Sequence, residues 1–305
     1  MTERAGARLD SELVRRGLAR SRRQASELVA AGRVVRDGVA VTKPSVVVAG
    51  SSVLEVVADP GDPGYASRAA FKLAGVLEAL DAMDAASGGG PRPPVVTGSR
   101  CLDLGASTGG FTDVLLRAGA REVVAVDVGH DQLVPMLRED PRVRLHEGLN
   151  VRELVPEHVG PPPDLVVGDL SFISLTTVLP AVARVVADGT DLLLLVKPQF
   201  EVGRERLGSG GVVRDTALHA EVVVTVAEHA ERAGMRPVAV IPSPLPGPSG
   251  NREYFWWLRA GRQTDVGHAA LLEAAVRAVA WEPGATAGAP PVVVAGAAPA
   301  TGGAP

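Results

Sequence analysis

From about residue 95 to residue 262, short apolar runs alternate with segments in which apolar residues recur at helical spacing, and this pattern limits the folds open to the chain. Such alternation is typical of parallel strands joined by crossover helices. The sequence therefore predicts an α/β fold with a mostly parallel, doubly wound, Rossmann-like sheet. Strands are expected at residues 100–104, 123–128, 142–147, 165–169, 192–197 and 238–243, and REYFWWLRA (252–260) predicts a further strand, antiparallel and at the sheet edge.

The first 60 residues differ in both pattern and charge. Two short helical segments precede short strands around the Asp37-Gly38 turn, which predicts a small α+β domain. Residues 1–43 carry ten Lys or Arg against five Asp or Glu, so the rest of the chain carries a net charge of −9. This asymmetry is expected when one segment meets a polyanion such as a nucleic acid, but by charge alone a solvated helix face is the simpler interpretation. If that polyanion is RNA, the residues expected to contact its phosphates are Arg8, Arg15, Arg16, Arg20, Arg22, Arg23 and Arg33.

Composition predicts the domain boundaries. Residues 61–67 are expected to link a small N-terminal domain (1–60) to the large α/β domain (68–262), and the Ala-, Pro- and Gly-rich segment 283–305 is expected to be a disordered tail. The single cysteine, Cys101, excludes an internal disulfide, and the histidine spacing predicts no metal site. No apolar stretch has the form of a signal peptide or a membrane span, so we expect a soluble, cytoplasmic protein without a membrane partner.

The segment DLGASTGGFT (103–112) follows the first predicted strand of the large sheet and precedes a helix. It lacks the G-x-G-x-x-G spacing of dinucleotide sites and places Asp103 two residues before Gly105. A carboxylate there repels pyrophosphate and attracts a sulfonium or an amino group, which favours S-adenosylmethionine over NAD. A ligand-free tight turn and an NAD-dependent oxidoreductase are the alternatives. The expected cofactor contacts are Asp103, Gly105, Ala106, Ser107, Thr108, Gly109 and Asp127.

Four charged residues form a candidate catalytic set. Asp169 and Lys197 end predicted parallel strands, at the edge where open α/β folds build their sites. Lys72 precedes the first of these strands on a helix, and Glu253 begins the last strand. Singly, a solvated helix lysine and an edge-strand charge are the simpler interpretations of Lys72 and Glu253. Together, two amines and two carboxylates suit methylation of a ribose hydroxyl, with Lys197 as base and Lys72 as its neighbouring cation.

Five motifs, in this order, resemble the TlyA-type (hemolysin A) ribosomal RNA 2′-O-methyltransferases of the FtsJ-like group: DLGASTGGFTD, VDVGHDQL, GDLSFISL, VKPQFEVGRERLGSGGVVRD and PLPGPSGNREYF. Residues 8–41 resemble a small RNA-binding domain shared with a ribosomal protein. The resemblance implies a catalytic tetrad of Lys72, Asp169, Lys197 and Glu253, and S-adenosylmethionine as methyl donor. It implies a cytidine ribose in small- or large-subunit rRNA as substrate, ribosomal subunits as partners, and a link to capreomycin and viomycin susceptibility. A membrane-active hemolysin and a non-catalytic RNA-binding factor are the alternatives from other functional classes.

Overall fold

In the computed structural model, the chain divides into two compact units, Met1–Gly64 and Tyr65–Pro305. The boundary lies within the predicted 61–67 linker. The structure describes residues 6–19, 22–57, 63–86, 90–247, 249–261, 266–282 and 290–294.

Among its described residues, the N-terminal unit has the two predicted helices, but its strands form two small antiparallel sheets and one strand precedes the first helix, whereas the sequence predicted a single small sheet after the helices. The strands pair as β1-β4 and β3-β2-β5 around a core that includes Leu9, Leu13 and Val29. Asp37 and Gly38 both adopt positive φ, which is the backbone that a tight hairpin turn requires. The elements are β1 (Ala7–Arg8), α1 (Leu9–Arg15), α2 (Arg22–Ala30), β2 (Val34–Arg36), β3 (Val39–Ala40), β4 (Val47–Val48) and β5 (Leu54–Val56).

The C-terminal unit is built on an eight-stranded sheet with the order β13-β11-β12-β10-β9-β6-β7-β8. The five strands from β8 to β10 in this order run parallel, and β12 is antiparallel to both of its neighbours. This confirms the predicted doubly wound α/β class. The elements are α3 (Ala70–Ala86), β6 (Arg100–Leu104), α4 (Gly110–Arg117), β7 (Glu122–Val126), α5 (Pro135–Arg138), β8 (Val143–His146), α6 (Pro156–Val159), β9 (Leu165–Gly168), α7 (Leu175–Val182), β10 (Asp191–Val196), α8 (Pro198–Glu201), α9 (Thr216–Arg232), β11 (Met235–Pro242), β12 (Tyr254–Ala260), α10 (His268–Ala280) and β13 (Val292–Val293), with 3₁₀ turns at Val151–Glu153, Arg204–Arg206 and Ser209–Gly211.

Helices cover both faces of this sheet, which explains why its central strands are continuous apolar runs rather than alternating ones. Successive residues of one strand enter different cores. Leu102 and Trp256 belong to the core that includes residues of α7, α9 and α10, whereas Cys101 and Trp257 belong to the core that includes residues of α3 and α4. The buried, unreactive position expected for Cys101 agrees with its zero exposure.

Three expectations about the C-terminal third need correction. The strand β12 is antiparallel, as predicted, but it lies between β10 and β11 rather than at the edge, since its aromatic residues are buried on both faces. The unit does not end at residue 262, because α10 packs against α9 and β11. The tail is not wholly disordered, since β13 pairs with β11 and buries Val292 and Val294. Residues 283–289 and 295–305 lie outside the described residues.

Candidate active site

The carboxyl ends of β6, β7, β9 and β10 meet at one edge of the sheet because these strands are parallel. The strand β12 runs the other way, so its first residues reach the same edge. The predicted cofactor loop (residues 105–109, directly after β6) lies against the loop that carries Asp169. Asp169 N–H donates a hydrogen bond to the carbonyl oxygen of Leu104, the last residue of β6, at 3.1 Å. The topology therefore gathers charged residues that lie far apart in the sequence.

The four charged residues of the candidate set come together at this edge. Lys72 Nζ lies 2.6 Å from Glu253 Oε2 and 3.8 Å from Asp169 Oδ2. Lys197 Nζ lies 2.5 Å from Asp169 Oδ1 and donates a hydrogen bond to Ser171 Oγ at 2.9 Å. Their side chains are 1% to 13% exposed. The four side chains thus form a buried row of alternating negative and positive charge, in the order Glu253, Lys72, Asp169, Lys197.

The two amines are not held equally. Lys72 faces two carboxylates, whereas Lys197 faces one carboxylate and the hydroxyl of Ser171. The close contact between Lys197 and Asp169 does not have the alignment of a hydrogen bond. Two cations and two anions compensate one another formally, which offsets part of the cost of burying them. Lys197 is therefore the amine with more capacity to serve an incoming group.

The backbone of the cofactor loop adopts positive φ at several positions, which explains why it contains glycines. Gly105 has φ of +84°, and a Cβ atom there would lie 3.0 Å from the carbonyl oxygen of Asp169. Gly109 has φ of +97°, and a Cβ atom there would overlap the side chain of Leu137. Ser107 also has positive φ, +47°. The carboxylate of Asp127 holds this turn by accepting hydrogen bonds from the N–H groups of Ser107 and Gly129, both at 2.7 Å.

Asp103 is completely buried beneath this loop. Its Oδ2 accepts a hydrogen bond from Thr112 Oγ1 at 2.7 Å, but Oδ1 has no donor among the described residues. Burial raises the pKa of Asp103 to about 7, with a smaller contribution from the charge of Asp169. The sequence indicated a carboxylate beside the ligand but not that this carboxylate is desolvated.

These groups fit S-adenosylmethionine. The unpaired Oδ1 of Asp103 can be satisfied by an ammonium group, and each Asp127 oxygen keeps acceptor capacity for ribose hydroxyls. Of the other predicted cofactor contacts, Ala106 is buried and Thr108 is exposed, and both lie between Gly105 and Gly109.

Sequence reasoning missed four residues around the tetrad. Ser171 contacts Lys197, and Gln199 Nε2 donates a hydrogen bond to Glu253 Oε1 at 3.3 Å. Glu201 joins α8 to the start of α7, accepting hydrogen bonds from the hydroxyl of Ser174 and the N–H of Leu175. Phe172 has φ of +63° and is 90% exposed. The polar ends of two apolar strands were a signal for Ser171 and Gln199, but no local pattern indicated which partners they meet.

In the N-terminal unit, two buried carboxylates of α1 orient four of the arginines expected to contact RNA. These pairs hold the pKa of Asp10 well below its usual range and lower that of Glu12 to about 2. The guanidinium groups keep much of their exposure except in Arg16, which is 21% exposed. The pairs are Arg8–Asp10, Arg22–Asp10, Arg15–Glu12 and Arg16–Glu12, at 2.5 to 3.1 Å.

Arg16 uses most of its hydrogen-bond donors within the N-terminal unit. Its guanidinium donates to the carbonyl oxygens of Ser52, Ala49 and Gly50, so it ties the end of α1 to the turn before β5. Arg33 Nε donates to the carbonyl oxygen of Val57. Arg20 and the side chain of Arg23 lie outside the described residues.

An FtsJ-like methyltransferase family model matches residues 65–260, and an S4 domain model matches residues 7–54. The 16S/23S rRNA (cytidine-2'-O)-methyltransferase TlyA of Mycobacterium tuberculosis strain H37Rv is 50% identical over 277 residues, covering 91% of this chain and 98% of the relative. The chain belongs to the TlyA-type family of FtsJ-like methyltransferases. This membership confirms the predicted methyltransferase class and sets aside the NAD-dependent alternative.

Other TlyA-type proteins agree with this assignment. The 23S rRNA (cytidine-2'-O)-methyltransferase TlyA of Campylobacter jejuni is 32% identical over 194 residues, covering 63% of this chain and 70% of the relative. A solved structure from Streptococcus thermophilus, described as a hemolysin, has a TM-score of 0.67 and 36% identity, covering 90% of this chain and 96% of that one.

Two further observations concern the alternatives. Among the described residues, no helix combines the length and apolar character needed to cross a membrane. Within the same part of the chain, no group of three or more His, Cys, Asp or Glu side chains is placed to hold a metal ion.

Proposed function

We propose that this protein transfers a methyl group from S-adenosylmethionine to the 2′-hydroxyl of a cytidine ribose in ribosomal RNA. The observation that carries the proposal is the buried Lys72–Asp169–Lys197–Glu253 cluster at the sheet edge that also holds the cofactor loop. The names of the Mycobacterium tuberculosis and Campylobacter jejuni relatives, which specify cytidine-2'-O methylation of rRNA, support the same reaction. Small-subunit and large-subunit RNA are both candidate substrates.

The reaction requires removal of a proton from a weakly acidic hydroxyl as its oxygen attacks carbon. Bound S-adenosylmethionine supplies a methyl group on a cationic sulfur, with a neutral thioether as leaving group. In the proposed mechanism Lys197 Nζ would take up the proton of the 2′-hydroxyl as the ribose oxygen receives the methyl group. Asp169 holds this amine and balances the ammonium that results. Glu253 fixes Lys72 against the other oxygen of Asp169, which keeps that carboxylate oriented between the two amines.

Phe172 offers a surface for the target base. Its ring centroid lies 5.1 Å from that of Phe200, and Lys197 Nζ lies 5.9 Å from the Phe200 centroid. A large apolar side chain that is exposed on a left-handed backbone is unfavourable in the free protein. Stacking of a flipped-out nucleobase on Phe172 would cover this exposed ring and place the nucleotide beside Lys197, the proposed general base.

The N-terminal unit is proposed to bind structured rRNA through phosphates. Arg8, Arg15 and Arg22 are 50% to 63% exposed, and each is oriented by a buried carboxylate, which reduces the freedom lost on binding. The S4 match supports RNA contact. Arg33 is a further proposed RNA contact, and the predictions for Arg20 and Arg23 concern side chains outside the described residues. An rRNA substrate accords with the expected cytoplasmic location. The link to capreomycin and viomycin susceptibility stays a prediction.

Transfer of labelled methyl groups to purified ribosomal subunits tests the function. Wild-type protein should form 2′-O-methylcytidine, identified by mass spectrometry of digested rRNA. Lys197→Ala and Lys197→Arg should lower the rate by about 100- to 10,000-fold, because neither supplies an amine that can take up a proton at neutral pH. Both variants should keep cofactor affinity by calorimetry. Equal transfer by wild type and Lys197→Ala would exclude Lys197 as the base, and label on a base would refute ribose methylation.

A further inference from the structure

Gln199 carries a buried carbonyl oxygen that nothing satisfies among the described residues. Its side chain lies in α8, two residues after Lys197, and its Nε2 donates to Glu253 Oε1 at 3.3 Å. In the part of the chain that the structure describes, no donor lies within hydrogen-bond reach of Gln199 Oε1, and this atom is withdrawn from solvent. A buried acceptor without a partner is unfavourable in the free protein, and the cost disappears when a ligand brings a donor.

The orientation of this amide is set by chemistry. An ionised carboxylate only accepts hydrogen bonds, so the NH₂ group of Gln199 must face Glu253. The carbonyl oxygen then points away from Glu253. Because Glu253 is itself held by Lys72 at 2.6 Å, the amide is anchored to the tetrad.

We propose that Gln199 Oε1 accepts a hydrogen bond from the target nucleotide and positions or selects it; this inference rests on the proposed function. The strand order supports a nucleotide rather than the cofactor as the source of the donor. Gln199 and Glu253 lie at the ends of β10 and β12, whereas the cofactor loops follow β6 and β7, with β9 in between. Adjacent strands are about 4.8 Å apart, so these places are about 10 Å or more from each other along the sheet edge.

Few donors on a cytidine within RNA are available. The 3′ and 5′ oxygens are esterified, which leaves the 2′-hydroxyl and the exocyclic amino group of cytosine. Uracil has a carbonyl oxygen, an acceptor, in place of that amino group. A contact with the 2′-hydroxyl makes Gln199 a positioning residue for the nucleophile, and a contact with the amino group makes it a determinant of base specificity.

The test compares full-length wild type with Gln199→Met, which keeps the side-chain length but removes both the acceptor Oε1 and the Nε2 donor to Glu253. Gln24→Met, the same exchange on α2, is the matched control. Methylation is measured on rRNA whose modified cytidine has been located with wild type, and on the same RNA with uridine at that position. Cofactor affinity and thermal unfolding are measured alongside.

Gln199→Met should lower the methylation rate on cytidine by about 10- to 100-fold, as expected for a buried hydrogen bond to substrate. Cofactor affinity should not fall, which a merely structural role would not predict. The melting temperature should change little, because the lost hydrogen bond to Glu253 is offset by removal of an unsatisfied buried oxygen. If the amino group of cytosine is the donor, only the methylation rate on cytidine should fall. If the 2′-hydroxyl is the donor, the methylation rate on uridine should fall by the same factor. A cytidine rate within twofold of wild type, or a loss of cofactor affinity, would overturn the proposal. Absence of methyl transfer by the wild type would refute the proposed function instead.

Discussion

Replacement of Asp103 by asparagine should stabilise the free protein at neutral pH and weaken its binding of S-adenosylmethionine. Asp103 is fully buried, and burial raises its pKa to about 7 from an ordinary value of 3.8. The unfolded chain therefore releases this proton near pH 4, whereas the folded protein keeps it until about pH 7. Between these values the folded state binds more protons, so the contribution of Asp103 to stability declines as pH rises.

The magnitude follows from the two pKa values. Each unit of difference corresponds to about 1.4 kcal/mol, so the stability contribution of Asp103 should decline by roughly 2 to 3 kcal/mol between pH 5 and pH 8. The asparagine side chain introduced by Asp103→Asn would not titrate, and it can keep the hydrogen bond from Thr112 through its own oxygen. The free energy of unfolding of Asp103→Asn relative to wild type should therefore rise by this amount between pH 5 and pH 8.

Urea denaturation of both proteins at pH 5, 6, 7 and 8 measures this difference directly. Asp131→Asn, on an exposed turn where asparagine tolerates the positive φ, is the control and should show a much smaller change. A difference between Asp103→Asn and wild type that does not vary with pH would refute the argument that Asp103 is protonated at pH 5 to 6.

Cofactor binding gives the second readout. An ammonium group at Asp103 Oδ1 favours the ionised carboxylate, so wild type should bind S-adenosylmethionine about tenfold more tightly at pH 8 than at pH 6. Asp103→Asn should bind S-adenosylmethionine weakly, and its affinity should depend less on pH because asparagine does not titrate. Titration of the ligand itself affects both proteins equally, so the difference between them reports on Asp103. Unchanged affinity in the variant would show that Oδ1 does not meet the cofactor.

Three further predictions concern other parts of the molecule. Arg16→Ala should destabilise the N-terminal unit by about 1 to 2 kcal/mol, because it leaves carbonyl acceptors without their donor, whereas Arg15→Ala should reduce rRNA affinity with little change in stability. Hydrogen exchange and RNA binding separate the two, and equal loss of stability would contradict the assignment. Ending the chain at residue 282 should cost about 2 kcal/mol and promote aggregation, since it uncovers the edge of β11, as chemical denaturation and light scattering would report. Phe172→Ala should slow rRNA methylation by about 10-fold or more through lost stacking, without lowering cofactor affinity, and an unchanged rate would exclude Phe172 from base contact.

Much of the fold follows from local sequence. Strand–helix periodicity is repeated along the large unit, and each strand buried on both faces appears as a short apolar run, so the parallel sheet could be predicted. The interior position of β12 could not, because pairing between strands distant in sequence depends on which edge remains open after the others have assembled. The error over the tail has a related cause: the composition of 283–305 indicated disorder, but the free edge of β11 accepts Val292 and Val293.

The sequence by itself determined which residues to propose for the chemistry: charges that end apolar strands are costly unless they are paired or functional, and this marked Asp169 and Lys197. Only the tertiary structure decided how those residues pair. Lys72 and Glu253 are 181 positions apart, yet they form the shorter of the two ion pairs made by Lys72. Desolvation of Asp103 and the unpaired oxygen of Gln199 are likewise properties of packed surroundings. The physical reason is that periodicity records the environment of a residue along its own strand or helix, whereas charge pairing and burial depend on side chains that the folded topology brings in from elsewhere.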